Sequence, residues 1–168
     1  TKGRRLCENV GMDLRPNEEP GRKTPAKGVL LMADQPNLIF LTVTCHHGER
    51  WLGNSDMQSA LDHIWRHHAL SWMVGYYLLM PDHLHLFCSP HEWTVEIERW
   101  VAYWKFLLAR RHPEAGRWQR GGFHHRLRSR IEFENKWQYV RENPIRRGLV
   151  ARADEWPYQG HIHPIGWK

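Results

Sequence analysis

The stretch Met80-Pro81-Asp82-His83-Leu84-His85-Leu86 joins a turn to the start of a β-strand. Its Pro-Asp pair is typical of a turn, and the alternation of polar and apolar residues that follows predicts a strand with two different faces. Because neighbouring strand residues point to opposite sides of a sheet, His83 and His85 project together while Leu84 and Leu86 face the other way. We therefore expect helices to cover the sheet face that carries the leucines, and the histidine pair to lie on the opposite face.

Outward from this strand, the chain alternates between segments of strand-like and helix-like periodicity. The β-α-β-β-α-β-α order predicts an α+β protein, a ferredoxin-like β-α-β-β-α-β antiparallel sheet with an added C-terminal helix. The predicted elements are a strand at Leu38–Thr44, a helix from Ser55 to about His68, a strand at about Trp72–Leu79, a strand at His83–Cys88, a helix opened by Ser89 and Pro90 with an apolar stripe from Trp93 to Leu108, a short strand near Gly122–Leu127, and a helix over about Ile131–Glu142.

The predicted organisation is one domain behind an irregular arm. The chain has 168 residues, of which 41% are apolar and 25% charged, as in an ordinary globular protein. Residues 1–36 contain several glycines and prolines without a sustained period, so we predict an irregular basic N-terminal arm there. Residues 37–168 then form the single domain.

Positive charge is concentrated towards the C-terminal part of the chain. The formal net charge is +6. Residues 110–152 contain twelve Lys and Arg against four Glu, a local charge of +8, so the remaining residues carry −2. A solvated surface is one interpretation of such a segment, but its one-sidedness favours a polyanionic partner.

Cysteine usage and hydropathy predict a cytoplasmic protein. The chain has an odd number of cysteines, which are Cys7, Cys45 and Cys88, and no C-x-x-C pair. This pattern favours a reducing compartment over a disulfide framework. The apolar stretch Leu38–Leu41 is far too short to span a membrane. No cationic segment followed by an apolar one opens the sequence, so we expect no secretory signal and no membrane partner.

The His-x-His pair is a candidate metal site. Two imidazoles at positions i and i+2 on one sheet face can share a metal ion, and the end of the first strand, from Thr44 to His47, is expected to lie close to His83. The alternative is two half-buried, hydrogen-bonded histidines. A zinc site that also uses Cys45 or Cys88 is a further alternative, although Cys88 follows His85 by three residues and so points to the opposite face.

The last predicted helix carries a tyrosine away from its apolar side. At about 100° per residue, Phe133, Trp137 and Val140 cluster on one face, and Tyr139 lies roughly 130° from them in the most basic part of the chain. Asn143 follows four residues later on the same face. Its side chain has two alternative roles, as the N-cap of a short helix that begins with Pro144 or as a metal contact.

Three blocks in this order resemble the HUH tyrosine transposases, and within them the REP-associated branch. Met80–Leu86 is similar to the family's M-P-D/N-H-x-H-L block, and Tyr139–Val150 to its Y-x-x-x-N-P-V-R-A-G-L-V block. Trp118–Phe123 resembles the segment before the family's fourth strand. The resemblance covers about Leu38–Tyr158, but the arm matches poorly, and His124 stands where the family commonly has an acidic residue.

The resemblance implies a metal-dependent single-strand DNA endonuclease and strand-transferase that acts on hairpin DNA ends. His83 and His85 would bind Mg²⁺ or Mn²⁺, with Asn143 completing or polarising the site, and Tyr139 would attack to give a 5′-phosphotyrosine. The partner would be single-stranded or hairpin DNA, with a monomer and a homodimer both open. A ferredoxin-like nucleic-acid-binding protein without catalysis is the alternative. Candidate phosphate contacts are Arg126, Arg128, Arg141, Arg146 and Arg147.

Overall fold

The computed structural model describes residues 36–166, so the predicted arm, apart from Pro36, lies outside the described residues. Two short 3₁₀ helices, His46–Gly48 and Ala153–Glu155, lie in its loops. The regular elements are β1 (Leu38–Thr44), α1 (Ser55–His67), β2 (Trp72–Leu79), β3 (His83–Pro90), α2 (Ile97–Arg111), β4 (Phe123–Leu127), α3 (Arg130–Arg141), α4 (Asn143–Arg146) and β5 (Gln159–His161).

The strands form one antiparallel sheet in the order β4-β1-β3-β2-β5. The predicted α+β class is therefore confirmed, and the chain order up to α3 is the predicted β-α-β-β-α-β-α. The sequence did not predict β5, which adds three residues to the free side of β2. So short a strand, of sequence Gln-Gly-His, carries no periodicity that would reveal it.

Each sheet face has its own core. Leu84 and Leu86 pack with α1 and α2 in a cluster rich in buried tryptophan, as their alternation with the histidines predicts. Phe40 and Phe87 belong to a second cluster, which α3 covers with the buried Val140. The histidine face of β3 therefore lies under α3.

Helix α2 begins later than the sequence suggests. Residues Ser89 and Pro90 pair with Met73 and Trp72 of β2, so β3 continues through the predicted helix start. The next two backbone N–H groups, of His91 and Glu92, both donate to the carbonyl of Ser71. These sheet contacts replace a first helical turn, and Trp93, predicted to lie on the apolar stripe, precedes the helix and is 52% exposed.

Within residues 36–166, no helix combines the length and the apolar character needed to cross a membrane. The cytoplasmic location stays a prediction.

Candidate active site

The register of β1 with β3 builds the histidine pair. Thr44 lies opposite His83 and Thr42 opposite His85, so the predicted proximity of the end of β1 to His83 is confirmed. The Oγ1 atom of Thr42 is 2.8 Å from Nδ1 of His85, and Oδ1 of Asp82 is 2.7 Å from Nδ1 of His83. The two rings stand nearly edge to face, with centroids 4.8 Å apart.

Burial keeps both imidazoles neutral. It lowers the pKa of His85 to about 3, and the positive charges of Lys136 and Arg146 add to the effect. Burial also lowers the pKa of His83, although Asp82 opposes this. Burial raises the pKa of Asp82, but the hydrogen bond with His83 and the charge of Arg147 outweigh it and lower that pKa. An ionised Asp82 accepts the Nδ1 proton of His83, which leaves a lone pair on Nε2 of His83.

These two side chains fit a metal-binding role. Neutral imidazoles with Nδ1 engaged by an oxygen atom are the form in which histidine ligates metals. Within the described residues, no hydrogen bond engages Nε2 of either ring. Residues 36–166 also contain no group of three or more His, Cys, Asp or Glu that suits a metal, so within these residues a third protein ligand would be of another residue type.

The cysteine alternative is wrong. Cys45 and Cys88 are both fully buried in the core under α1 and α2, on the face opposite His85. Burial raises the pKa of Cys45 to about 12 and that of Cys88 well above its ordinary value. Because both thiols lie on the face opposite the histidines, neither can reach an ion held by His83 and His85.

Tyr139 lies on the outer face of α3, as predicted. The residue is 57% exposed, whereas Val140 is buried and Trp137 packs against the second core. The guanidinium carbon of Arg146 lies 4.1 Å from the centre of the Tyr139 ring, and Nζ of Lys136 lies 5.9 Å from it. Arg146 also donates from Nη2 to the carbonyl of Tyr139 at 2.6 Å. One arginine thus fixes both the ring and the backbone of the tyrosine.

Lys136 links the tyrosine helix to the histidine pair. Its Nζ atom lies 5.2 Å from the centre of the Phe40 ring, and that ring stacks on His85 with centroids 5.4 Å apart. Lys136 and Arg146 both lie close enough to His85 to lower its pKa. Since the same two cations flank the Tyr139 ring, the helix and the strand contribute to one positively charged site.

Asn143 is part of this site but not as a helix cap. The residue before α4 is Glu142, and no side chain caps that helix. Instead, Oδ1 of Asn143 accepts a hydrogen bond from Arg146 at 2.8 Å. Its Nδ2 atom is buried and has no hydrogen-bond partner in the described part of the chain. A buried N–H group without a partner is costly in a core, and it marks a position that a hydrogen-bond acceptor can complete.

The five predicted phosphate-binding arginines occupy different surroundings. Arg146 lies on Tyr139, and Nη1 of Arg147 is 3.5 Å from Asp82. Arg128 is exposed at the end of β4, and Arg141 is half-buried. Arg126 lies opposite Ile39, whose side chain packs under α1 and α2, so Arg126 projects from the face away from the histidines.

The same alternation explains why His124 does not alter the histidine site. His124 lies opposite Leu41, on the α2 side of the sheet, where its Nε2 is 2.9 Å from Oε1 of Glu98.

Sequence reasoning missed the contributions of Thr42, Asp82 and Lys136. Asp82 precedes His83 directly and could have been found, whereas Thr42 and Lys136 become site residues only through the sheet register and the position of α3.

Comparisons with known proteins concern the sequence and the fold as a whole. No protein-family profile matches the chain. A protein from Haemophilus influenzae, named as a REP-associated tyrosine transposase, is 27% identical over 110 residues, which cover 53% of this chain and 62% of that relative's length. The solved structure of a REP-associated tyrosine transposase bound to a REP hairpin superimposes with a TM-score of 0.63 over 88% of this chain and 89% of that one. At 18% identity, that likeness shows the fold.

This chain resembles REP-associated tyrosine transposases in sequence and in fold. The comparisons thereby support the resemblance that the three sequence blocks indicate. They leave the roles of individual residues to the geometry.

The buried His85 predicts a specific acid sensitivity of the fold. The folded-state pKa of about 3 lies below the ordinary 6.5, so between these values the unfolded chain binds more protons. His85 therefore lowers the free energy of unfolding as pH falls through that window, by up to about 1.4 kcal/mol per pH unit. We expect the free energy of unfolding, measured by urea denaturation across this pH range, to depend less on pH in His85→Gln than in wild type.

His91→Gln, in the exposed loop after β3, is the control and should keep the wild-type profile. Parallel profiles for wild type and His85→Gln would contradict the depressed pKa.

Proposed function

We propose that this protein is a metal-dependent single-stranded DNA endonuclease and strand-transferase that acts on hairpin DNA ends through a 5′-phosphotyrosine intermediate. The observation that carries the proposal is the joint placement of Tyr139 and the His83–His85 pair around the cations Lys136 and Arg146. The names of the matched proteins support the transposase class, and one of them was solved with a REP hairpin.

Tyr139 supplies the nucleophile in this reaction. Its Oη atom attacks the phosphorus of the scissile phosphodiester and forms a new P–O bond, while the bond from phosphorus to the 3′ oxygen breaks. The phenol loses one proton as it attacks and the leaving oxygen gains one, which gives a free 3′-hydroxyl with no net change in protons. The 5′ phosphate stays on the tyrosine. A second 3′-hydroxyl reverses the step and transfers the strand. Arg146, over the ring, stabilises the negative charge that develops on the phenol as it loses its proton.

His83 and His85 would hold Mg²⁺ or Mn²⁺ through their Nε2 atoms, with the Asn143 amide as the third candidate contact. When bound, such an ion polarises a non-bridging phosphate oxygen and orients the phosphate for in-line attack. Asp82 and Thr42 engage the Nδ1 atoms of the two rings, which leaves both Nε2 atoms for the ion. The Oδ1 atom of Asn143 accepts one hydrogen bond, from Arg146, and its second lone pair remains for the ion.

Other basic residues would bind the DNA backbone. Arg128 is exposed beside α3 and belongs to the segment of charge +8, so it suits phosphate contacts. Arg147 reaches Asp82 at the base of the histidine pair and couples backbone binding to the orientation of His83. Arg126 projects from the opposite face and would serve DNA only if the duplex stem wraps around the β4 edge.

We expect Tyr139→Phe to abolish cleavage of hairpin oligonucleotides and the covalent protein–DNA adduct. The change keeps the ring and its cation–π contact with Arg146 but removes the attacking oxygen. Hairpin binding and thermal stability should stay within about 0.5 kcal/mol of wild type, because the exposed hydroxyl has water as an alternative partner. Adducts are scored by denaturing electrophoresis of labelled hairpins with single-stranded flanks.

Tyr103→Phe is the matched control, because Tyr103 is 46% exposed on α2, across the sheet from the histidines. An adduct that persists in Tyr139→Phe would refute the nucleophile. Wild-type binding without any cleavage would instead favour the nucleic-acid-binding alternative.

We also expect cleavage to stop in EDTA and to return when Mg²⁺ or Mn²⁺ is added. Replacing both His83 and His85 with Ala should reduce the cleavage rate by at least about 100-fold, because the candidate metal ligands are lost. Circular dichroism should remain close to that of wild type, since Leu84 and Leu86 still anchor β3 in the core.

The matched control replaces both His63 and His67 of α1 with Ala. The ring centroids of these two histidines are also 4.8 Å apart. Cleavage that survives the loss of His83 and His85, or that needs His63 and His67 instead, would exclude this metal site.

A further inference from the structure

Phe123 is an exposed aromatic residue in line with the histidine pair. It is the first residue of β4, it is 49% exposed, and it belongs to neither core cluster. The register places Phe123 opposite Thr42, and Thr42 opposite His85, so the three side chains form one row across the α3 face of the sheet. At about 4.8 Å per strand, Phe123 is two strands, or about 10 Å, from His85 along this row.

The turn that precedes Phe123 holds it rigidly. Gly121 has a φ of +74°, and a Cβ atom on Gly122 would come within 3.2 Å of both the Leu41 side chain and the Thr42 carbonyl. Nζ of Lys105 donates to the carbonyls of Gln119 and Gly121 at 3.1 and 2.7 Å. A fixed backbone presents the aromatic side chain without a large ordering cost on binding.

The surroundings of Phe123 match a polyanion rather than an apolar partner. The exposed Arg120 lies three residues before it and the exposed Arg128 lies just beyond the other end of β4. Lys136 lies over Phe40 in the neighbouring row of the same face. Exposed cations along the same strand and sheet face as an exposed aromatic ring are a usual combination at sites that bind single-stranded nucleic acid.

We propose that Phe123 is a stacking platform for an unpaired nucleobase that flanks the scissile phosphate. With the phosphate at the histidine pair, the row through Thr42 leads the strand towards the β4 edge, where the next base meets the ring. This subsite rests on the proposed function for the identity of the scissile phosphate. It assigns Phe123 the positioning of the strand, and it leaves the chemical step to Tyr139.

Fluorescence of 2-aminopurine tests this stacking directly. The probe is placed, one position at a time, in the single-stranded flanks of a hairpin oligonucleotide, and binding is measured with the Tyr139→Phe protein, which leaves the DNA intact. We expect quenching at one or two adjacent positions, because stacking on an aromatic ring quenches this base. Phe123→Leu should remove that quenching and weaken binding on the order of tenfold, and Phe123→Trp should restore both.

Phe106→Leu is the matched control, because Phe106 is 55% exposed on α2, on the other side of the sheet. It should keep the quenching pattern. The same quenching in Phe123→Leu as in the parent protein, or no quenched position in any variant, would overturn the proposal. A change of oligomeric state in Phe123→Leu with unchanged quenching would overturn it too, and would assign the β4 edge to a second copy of the chain.

These outcomes do not depend on cleavage. If wild type forms no adduct but quenching still follows Phe123, the stacking subsite stands and the transposase chemistry fails. If adducts form and quenching does not follow Phe123, the chemistry stands and the subsite fails.

Discussion

The pairing of β1 with β3 is the constraint on which the candidate site depends. It sets Thr42 against His85 and Thr44 against His83, and the Thr42 hydroxyl then engages Nδ1 of His85. A slip of one residue would turn both histidines into the core under α1 and α2 and bring Leu84 out to replace them. The tryptophan-rich packing behind Leu84 and Leu86 opposes that slip. The core on one face thus fixes the chemistry on the other.

Burial keeps the histidines neutral, and cations flank the tyrosine beside them. Lys136 and Arg146 add to the effect of burial in lowering the pKa of His85, and both lie by the Tyr139 ring. Two carboxylates offset part of this charge: Asp82 is shared by His83 and Arg147, and Glu142 lies 3.4 Å from Arg146. A phosphodiester would neutralise the excess positive charge, so the site is electrostatically complementary to DNA before any metal is considered.

Local periodicity explains how much the sequence predicts. The two-residue alternation of polar and apolar side chains at His83–Leu86 predicts the sheet face of the histidines. The 3.6-residue periodicity of α3 predicts the outward position of Tyr139, and the structure confirms both positions. The predicted start of α2 is wrong. Ser89 and Pro90 resemble a helix cap and a first-turn proline, but their backbone pairs with β2, and the next two N–H groups bind the carbonyl of Ser71. Thr42, Lys136 and the Arg146–Asn143 bond depend on tertiary contacts, which no local pattern encodes. The metal ligands, the nucleophile and the DNA contacts stay predictions.

Pulsed EPR of bound Mn²⁺ is the most direct measurement of whether His83 and His85 act as one metal site. With hairpin DNA present, we expect hyperfine couplings from the nitrogen atoms of two imidazoles, both in wild type and in Tyr139→Phe. Labelling the histidines with nitrogen-15 should change these couplings by the ratio of the two nuclear moments. The couplings should vanish when His83 and His85 are both replaced by Ala. Nitrogen couplings that persist in that double variant, or bound Mn²⁺ without any imidazole coupling in wild type, would contradict metal ligation by this pair.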